Sequence, residues 1–135
     1  MLTERRIHSS IPAADLGRAR RWYEEMLGFT PVRELPRGLM YEAAGGSRFV
    51  IYPTPNAGQS PNTLMGFVTP DIEAEVRDLR ARGVIFEDYD FPTLKTVDSI
   101  ATNEATRSAW FRDSEGNIIG IVELPPEEDG ASHGT

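Results

Sequence analysis

Twice along this chain an aspartate precedes apolar residues at helical spacing, and a glycine closes the run. Asp15 precedes Leu16, Ala19, Trp22, Tyr23, Met26 and Leu27, with Gly28 after them; Asp71 precedes Ile72, Val76 and Leu79, with Gly83 after them. An aspartate carboxylate accepts the free N–H groups of a first helical turn, and a glycine takes the left-handed conformation past the last. Each helix follows a strand. Arg5 to Pro12 places Ile7 and Ile11 on one side and His8 and Ser10 on the other, and Thr63 to Thr69 holds the equivalent place. Strand patterns follow each helix: Phe29 to Leu35, Leu39 to Ala44 and Arg48 to Tyr52 in the first half, then Val84 to Phe86, Thr106 to Arg112 and Ile118 to Leu124 in the second. The order β-α-β-β-β thus occurs twice. A repeat of roughly 55–60 residues is too long for a solenoid unit and suits a duplicated module.

The predicted fold class is α+β, with two tandem βαβββ modules forming curved mixed sheets around a cleft. Module 1 spans about residues 5–53, a linker rich in Pro, Gly and polar residues spans 54–62, and module 2 spans about 63–124 of a single domain, 1–124. Residues 125–135 read as a flexible acidic tail. A four-stranded sheet with a helix on one face leaves its other face for a partner sheet or a ligand. A cleft between two such sheets is a usual place for a small molecule. Residues 88–103 interrupt module 2 as a long connection carrying Tyr89, Phe91, Leu94 and Lys95, either a lid or a packing element.

The 135 residues suffice for one domain with a real core, and a net charge of −7 without a basic, aromatic-interleaved patch speaks against nucleic acid. Arginines 18, 20, 21, 77, 80 and 82 mix with acids on the two helices and read as solvated faces. With no cysteine, disulfides, thiolate metal sites and a cysteine nucleophile are excluded; a cytoplasmic location is expected. No apolar run approaches membrane-spanning length, so no membrane partner is expected. His8 is the only histidine outside the tail, which holds His133.

The strongest hairpin signal is Ala109-Trp110-Phe111-Arg112-Asp113-Ser114-Glu115-Gly116-Asn117, leading into Ile118 to Val122. Asp113, Gly116 and Asn117 read as residues that serve the turn itself. This segment resembles the closing hairpin of the vicinal oxygen chelate superfamily (glyoxalase I, bleomycin-resistance proteins, fosfomycin-resistance enzymes, extradiol dioxygenases), with Ser114 where proline is more usual. Ile11 to Ala19 with Trp22 to Phe29 resembles its opening strand and helix, and Phe67 to Ile72 its second module. The resemblance runs from about Ile7 to Glu123 and implies the duplicated fold, a homodimer and, in most of the superfamily's enzymes, one divalent metal.

That metal is held by His, Glu or Gln from the first and last strands of each module. Carried over, the first position falls on His8, seven residues before Asp15; the second near Val50, Ile51 or Tyr52; the third on Leu64 or Met65; the fourth on Gly120. One donor of four is present, whereas a catalytic divalent site needs about three. The expectation is therefore no cofactor, with His8 a pocket or core residue and a ligand only if a metal is bound.

Alternation places Ser10 and Pro12 beside His8, and Ile118, Gly120 and Val122 together with Trp110 opposite Gly120. Tyr52, Met65 and Phe67 are expected to join this lining. His8, Ser10, Tyr52, Met65, Phe67, Trp110, Ile118 and Gly120 are thus the candidate ligand-binding residues, suited to a small, largely apolar or aromatic molecule. Two functions stay open at this point. One is a sequestering or carrier protein. The other is a lyase, isomerase or dioxygenase-like enzyme, metal-dependent or using His8 as acid or base, with Tyr52, Glu42, Glu87 and Lys95 the other titratable candidates.

Overall fold

The computed structural model describes residues 1–125; the acidic tail predicted for 125–135, with His133, lies outside the described residues but for Pro125. Two sheets and two α-helices organise the described residues. Strand β1 (His8–Ala13), helix α1 (Leu16–Trp22), β2 (Arg33–Leu35), β3 (Gly38–Glu42) and β4 (Arg48–Pro53) form the first module. Strand β5 (Thr63–Val68), helix α2 (Ile72–Arg82), β6 (Asp90–Phe91), β7 (Leu94–Val97), β8 (Ile100–Asn103), β9 (Thr106–Arg112) and β10 (Ile118–Glu123) form the second. The sheet orders are β1-β4-β3-β2 and β5-β10-β9-β8-β7-β6, so β10, β9 and β8 stand where β4, β3 and β2 stand in the first copy. In both, the first strand pairs in parallel with the last.

The caps act as their residue types dictate. Asp15 accepts the Arg18 N–H and Asp71 the Ala74 N–H, while Gly28 and Gly83 adopt left-handed backbone at φ 77° and 108°. Helix α1 continues into one π-helical turn, Tyr23–Leu27. Ile11, Ala13, Phe49 and Ile51 pack under Ala19 and Tyr23; Ile119, Ile121, Phe111 and Ala109 pack under Ile72 and Val76. The two cores meet where Trp22 lies 6.0 Å from Phe111 and Phe29 stacks on Phe67 at 5.7 Å, ring centre to ring centre. The sheets adjoin along the edges of β1 and β5, with both helices on one side. The face of each sheet away from the helices is called the open face below.

Two predicted elements differ. The connection 88–103 is three strands, β6 to β8, which widen the second sheet to six; it is built into the sheet and is not a loop. Val84 to Phe86 is not a strand: only Phe86 bridges to Phe111, and Ile85 is exposed. Strand β8 takes the place expected for it, because it offers β9 three consecutive pairs, Ala101–Ser108, Thr102–Arg107 and Asn103–Thr106.

Among the described residues, no helix is long and apolar enough to cross a membrane.

Candidate functional site

Register decides which candidates share the open face. On β1 and β4, His8 pairs with Arg48, Ser10 with Val50 and Pro12 with Tyr52. Their neighbours Ile11 and Ile51 are core, so this set faces away from the helix. His8 and Ser10 are exposed, and Tyr52 is 37% exposed. The His8 ring reaches one partner, the Ser9 carbonyl oxygen at 3.2 Å.

On the second sheet Gly120 is the register partner of both Trp110 on β9 and Gly66 on β5. Two glycines side by side leave a bare patch, and the indole leans over its Gly120 half. A Cβ on Gly120 would lie 3.4 Å from the indole Cδ1 and 3.2 Å from the Thr63 methyl. The room expected beside Gly120 is thus occupied by Trp110 itself. Tyr89 meets Trp110 edge-on at 5.6 Å, and Phe91, 59% exposed, stacks on Tyr89 at 6.1 Å. Trp110, Ser108, Ala101, Asn103 and Leu94 line a concavity of about 720 Å³. Ile118 lies on the same face and is buried.

Met65 and Phe67 are not on this face, which corrects the sequence expectation. They pair with Ile119 and Ile121 and pack into the helix-side core, Phe67 against Phe29 and Phe49. The cause is parity. Strand β5 places Gly66 and Val68 outward, and a bulge at Leu64 lets that side chain also join the core.

The metal positions do not assemble. His8 stands on one sheet, while Gly120 and Gly66 offer no donor on the other. Glu123 is committed to the helix side, where it accepts the Ile72 N–H at 3.0 Å. Glu42 is paired with Arg48 and Glu87 with Arg112. Among the described residues, no three His, Asp or Glu side chains converge as a metal site would require. This donor set does not fit the divalent ion of the superfamily's enzymes. His8, Tyr52, Glu42, Glu87 and Lys95 form no hydrogen bond with one another among the described residues.

Sequence reasoning missed a buried polar cluster behind the site. Asp113 accepts the Tyr23 hydroxyl (2.7 Å), the Glu115 N–H (2.9 Å), and the Asn117 N–H and Nδ2 (both 3.0 Å). Asn117 Nδ2 also donates to the Pro12 carbonyl at 2.7 Å, and its Oδ1 accepts the Gly58 N–H at 3.2 Å. Glu115 accepts both forks of Arg18 (2.8 and 2.9 Å), the Asp15 N–H (2.9 Å) and the Ser114 hydroxyl (2.8 Å). Burial alone would raise the Glu115 pKa, but these donors outweigh it and hold the carboxyl at about 2. Burial first, then the Asp113 carboxylate, pushes the Tyr23 hydroxyl well up. Gly58 presses on this turn so closely that a Cβ would collide with the Glu115 carbonyl oxygen. The closing hairpin therefore ties module 2 to β1, α1 and the linker, and fixes how Trp110 and β1 sit relative to each other.

A duplicated βαβββ chain with its open faces free is the architecture of one superfamily. The chain matches the family model of the Glyoxalase/Bleomycin resistance protein/Dioxygenase superfamily over residues 5–121 and belongs to that superfamily. Among solved structures it is similar to TnmS3, an antibiotic binding protein from Streptomyces sp. CB03234 (25% identity, 93% of this chain and 99% of that one, TM-score 0.68). It shares its fold with a glyoxalase/bleomycin resistance protein from Catenulispora acidiphila DSM 44928 (21%, 89% and 98%, TM-score 0.63). The same holds for a lactoylglutathione lyase from Agrobacterium tumefaciens (18%, 89% and 93%, TM-score 0.59). No curated protein matches the chain significantly.

Proposed function

We propose that this protein binds and sequesters a small, largely apolar or aromatic molecule without using a metal. The observation that carries the reading is the Trp110 indole, lying over Gly120 with the bare Gly66 next to it, Tyr89 at its edge and the concavity beside it. A supported indole with an open face offers stacking area at little conformational cost. Around the indole the concavity is largely polar, with Lys95, Asn103, Glu104, Thr106 and Ser108 available to orient the polar edge of such a ligand. The likeness to an antibiotic binding protein supports a binding role. The enzyme reading needs either three donors or a second titratable group at His8, and the residues present favour neither.

The site is proposed to be completed in a homodimer in the cytoplasm. The open face carrying His8, Ser10 and Tyr52 would then lie over the Trp110 face of a second copy, giving two symmetric sites. Calorimetric titration with planar polycyclic aromatic compounds tests the reading. Trp110→Ala is expected to weaken binding about tenfold or more, the size of a lost aromatic anchor. Unchanged affinity in that variant would place the ligand elsewhere. A tightly held equivalent of Zn, Ni, Mn or Fe(II) that is lost in His8→Ala would overturn the metal-free reading.

A further inference from the structure

Helix α2 crosses the helix side of β9 and β10 and leaves beside it, over β7 and β8, a groove of about 550 Å³, away from the Trp110 face. Glu73, Val76, Arg77 and Arg80 recur along one helix face and form one wall. The strands supply Lys95, Thr102 and Arg107 as one cross-strand row, with Val97 paired to Ile100 in the next. Four cations therefore converge on one concavity of a chain whose net charge is −7, and Lys95 is its only lysine.

Two of the four, Arg80 and Lys95, have no carboxylate partner among the described residues. Of the two lining carboxylates, Glu73 is taken by Arg107 at 2.7 Å, and Arg107 also lies 3.9 Å from Glu123, while Asp98 has no ion pair among the described residues. Arg80 is fixed by the Ser99 hydroxyl (2.6 Å) and the Asp98 carbonyl (3.2 Å), and lies 5.8 Å from the Phe86 ring centre. It has no carboxylate partner among the described residues. Arg77 has only a 3.9 Å contact with its exposed neighbour Asp78, and Lys95 has no ion pair among the described residues. The floor, Val76, Val97 and Ile100, is apolar.

We infer that this groove binds a small organic phosphate. Guanidinium forks match phosphate oxygens two at a time, a lysine adds a point charge, and the apolar floor takes the carbon part of the ligand. The acidic body repels extended polyanions, so a compact anion fits where nucleic acid does not. The groove opens on the other side of the sheet from the proposed aromatic ligand, with Lys95 and Thr102 bordering both concavities, and it does not depend on that ligand.

Inorganic pyrophosphate is the probe, titrated into the full chain at constant ionic strength and followed by calorimetry and amide NMR. The expected result is saturable binding of one equivalent, with shifts concentrated at Arg77, Arg80, Thr102 and Arg107. Arg77→Gln with Lys95→Gln should weaken it at least about tenfold, the size of one lost charge-assisted hydrogen bond. The charge-matched pair Arg5→Gln with Arg37→Gln should leave it unchanged. Equal loss in both double variants, or shifts spread over all arginines without saturation, would overturn the site and leave only general charge attraction.

Discussion

The two modules end in equivalent hairpins that do different work. The β3–β4 turn keeps its bonds to itself: the Ala43 N–H reaches the Ser47 carbonyl at 2.8 Å, and the Ser47 hydroxyl the Ala44 carbonyl at 2.7 Å. A Cβ on Gly45 or Gly46 would meet nothing within 4 Å. The β9–β10 turn closes similarly, with the Asp113 N–H on the Asn117 carbonyl at 2.9 Å, but its side chains reach into module 1. The two turns share this closing bond but not their backbone, since Gly45 is left-handed at φ 68° where Glu115, in the equivalent place, is not. The joint between the copies is built on only one of them, where Asp113, Glu115 and Asn117 stand in the places of Ala43, Gly45 and Ser47.

Four experiments test that contrast. Asp113→Ala strands four donors, two of them from buried backbone, and should cost about 4 kcal/mol by urea unfolding. A loss below about 1 kcal/mol would mean that the joint lies elsewhere. Glu115→Gln comes next, at about 2 kcal/mol near neutral pH, discounted because Arg18 is half exposed. The sign follows from a carboxyl at about 2 when folded against 4.5 when free. Its stabilisation is complete above pH 4.5 and disappears as the pH falls to about 2, so the variant's unfolding midpoint should vary less over that window. Two buried tyrosines give the third test. Tyr23→Phe loses the Asp113 bond and should cost about 1–2 kcal/mol. The Tyr41 hydroxyl has no hydrogen-bond partner among the described residues, so Tyr41→Phe should be neutral or gain up to about 1 kcal/mol. Thermal melts of the two variants that move together would remove the distinction. Last, Ser47→Ala in the self-contained turn should shift stability by less than about 0.5 kcal/mol.

The caps and the duplicated order were legible because they depend on local chemistry: Asp15, Asp71, Gly28 and Gly83 each act within one turn of their own helix. The orientation of β5 was also written in the sequence, though it went unread. The offset that carries Asp15 onto Asp71 carries Ile11 onto Phe67 and Ser10 onto Gly66, which puts Phe67 in the core and Gly66 outside. Apolar, bulky residues attract attention as a pocket lining, but bulk alone does not say which face they occupy. Strands β6 to β8 were hidden for a different reason. They are short and polar, and Asp98 and Ser99 make a left-handed turn, at φ 52° and 68°, without the glycine that usually marks one. The second duty of Asp113, Glu115 and Asn117 lay beyond local pattern altogether. Their partners Pro12, Asp15 and Arg18 stand near the other end of the chain.

That distance has a consequence for synthesis. Helix α1 receives Glu115 on Asp15 and Arg18 only after the residues that separate them, 100 and 97 positions apart, have left the ribosome. Until then the modules meet only through apolar contacts such as Phe29 on Phe67, and the slow step of assembly should be closure of this long-range polar joint. A chain stopped before Asp113 would leave the Tyr23 hydroxyl, the Asp15 N–H and the Gly58 N–H without the acceptors they have in the finished protein, and quality-control proteases should clear it sooner than the complete chain.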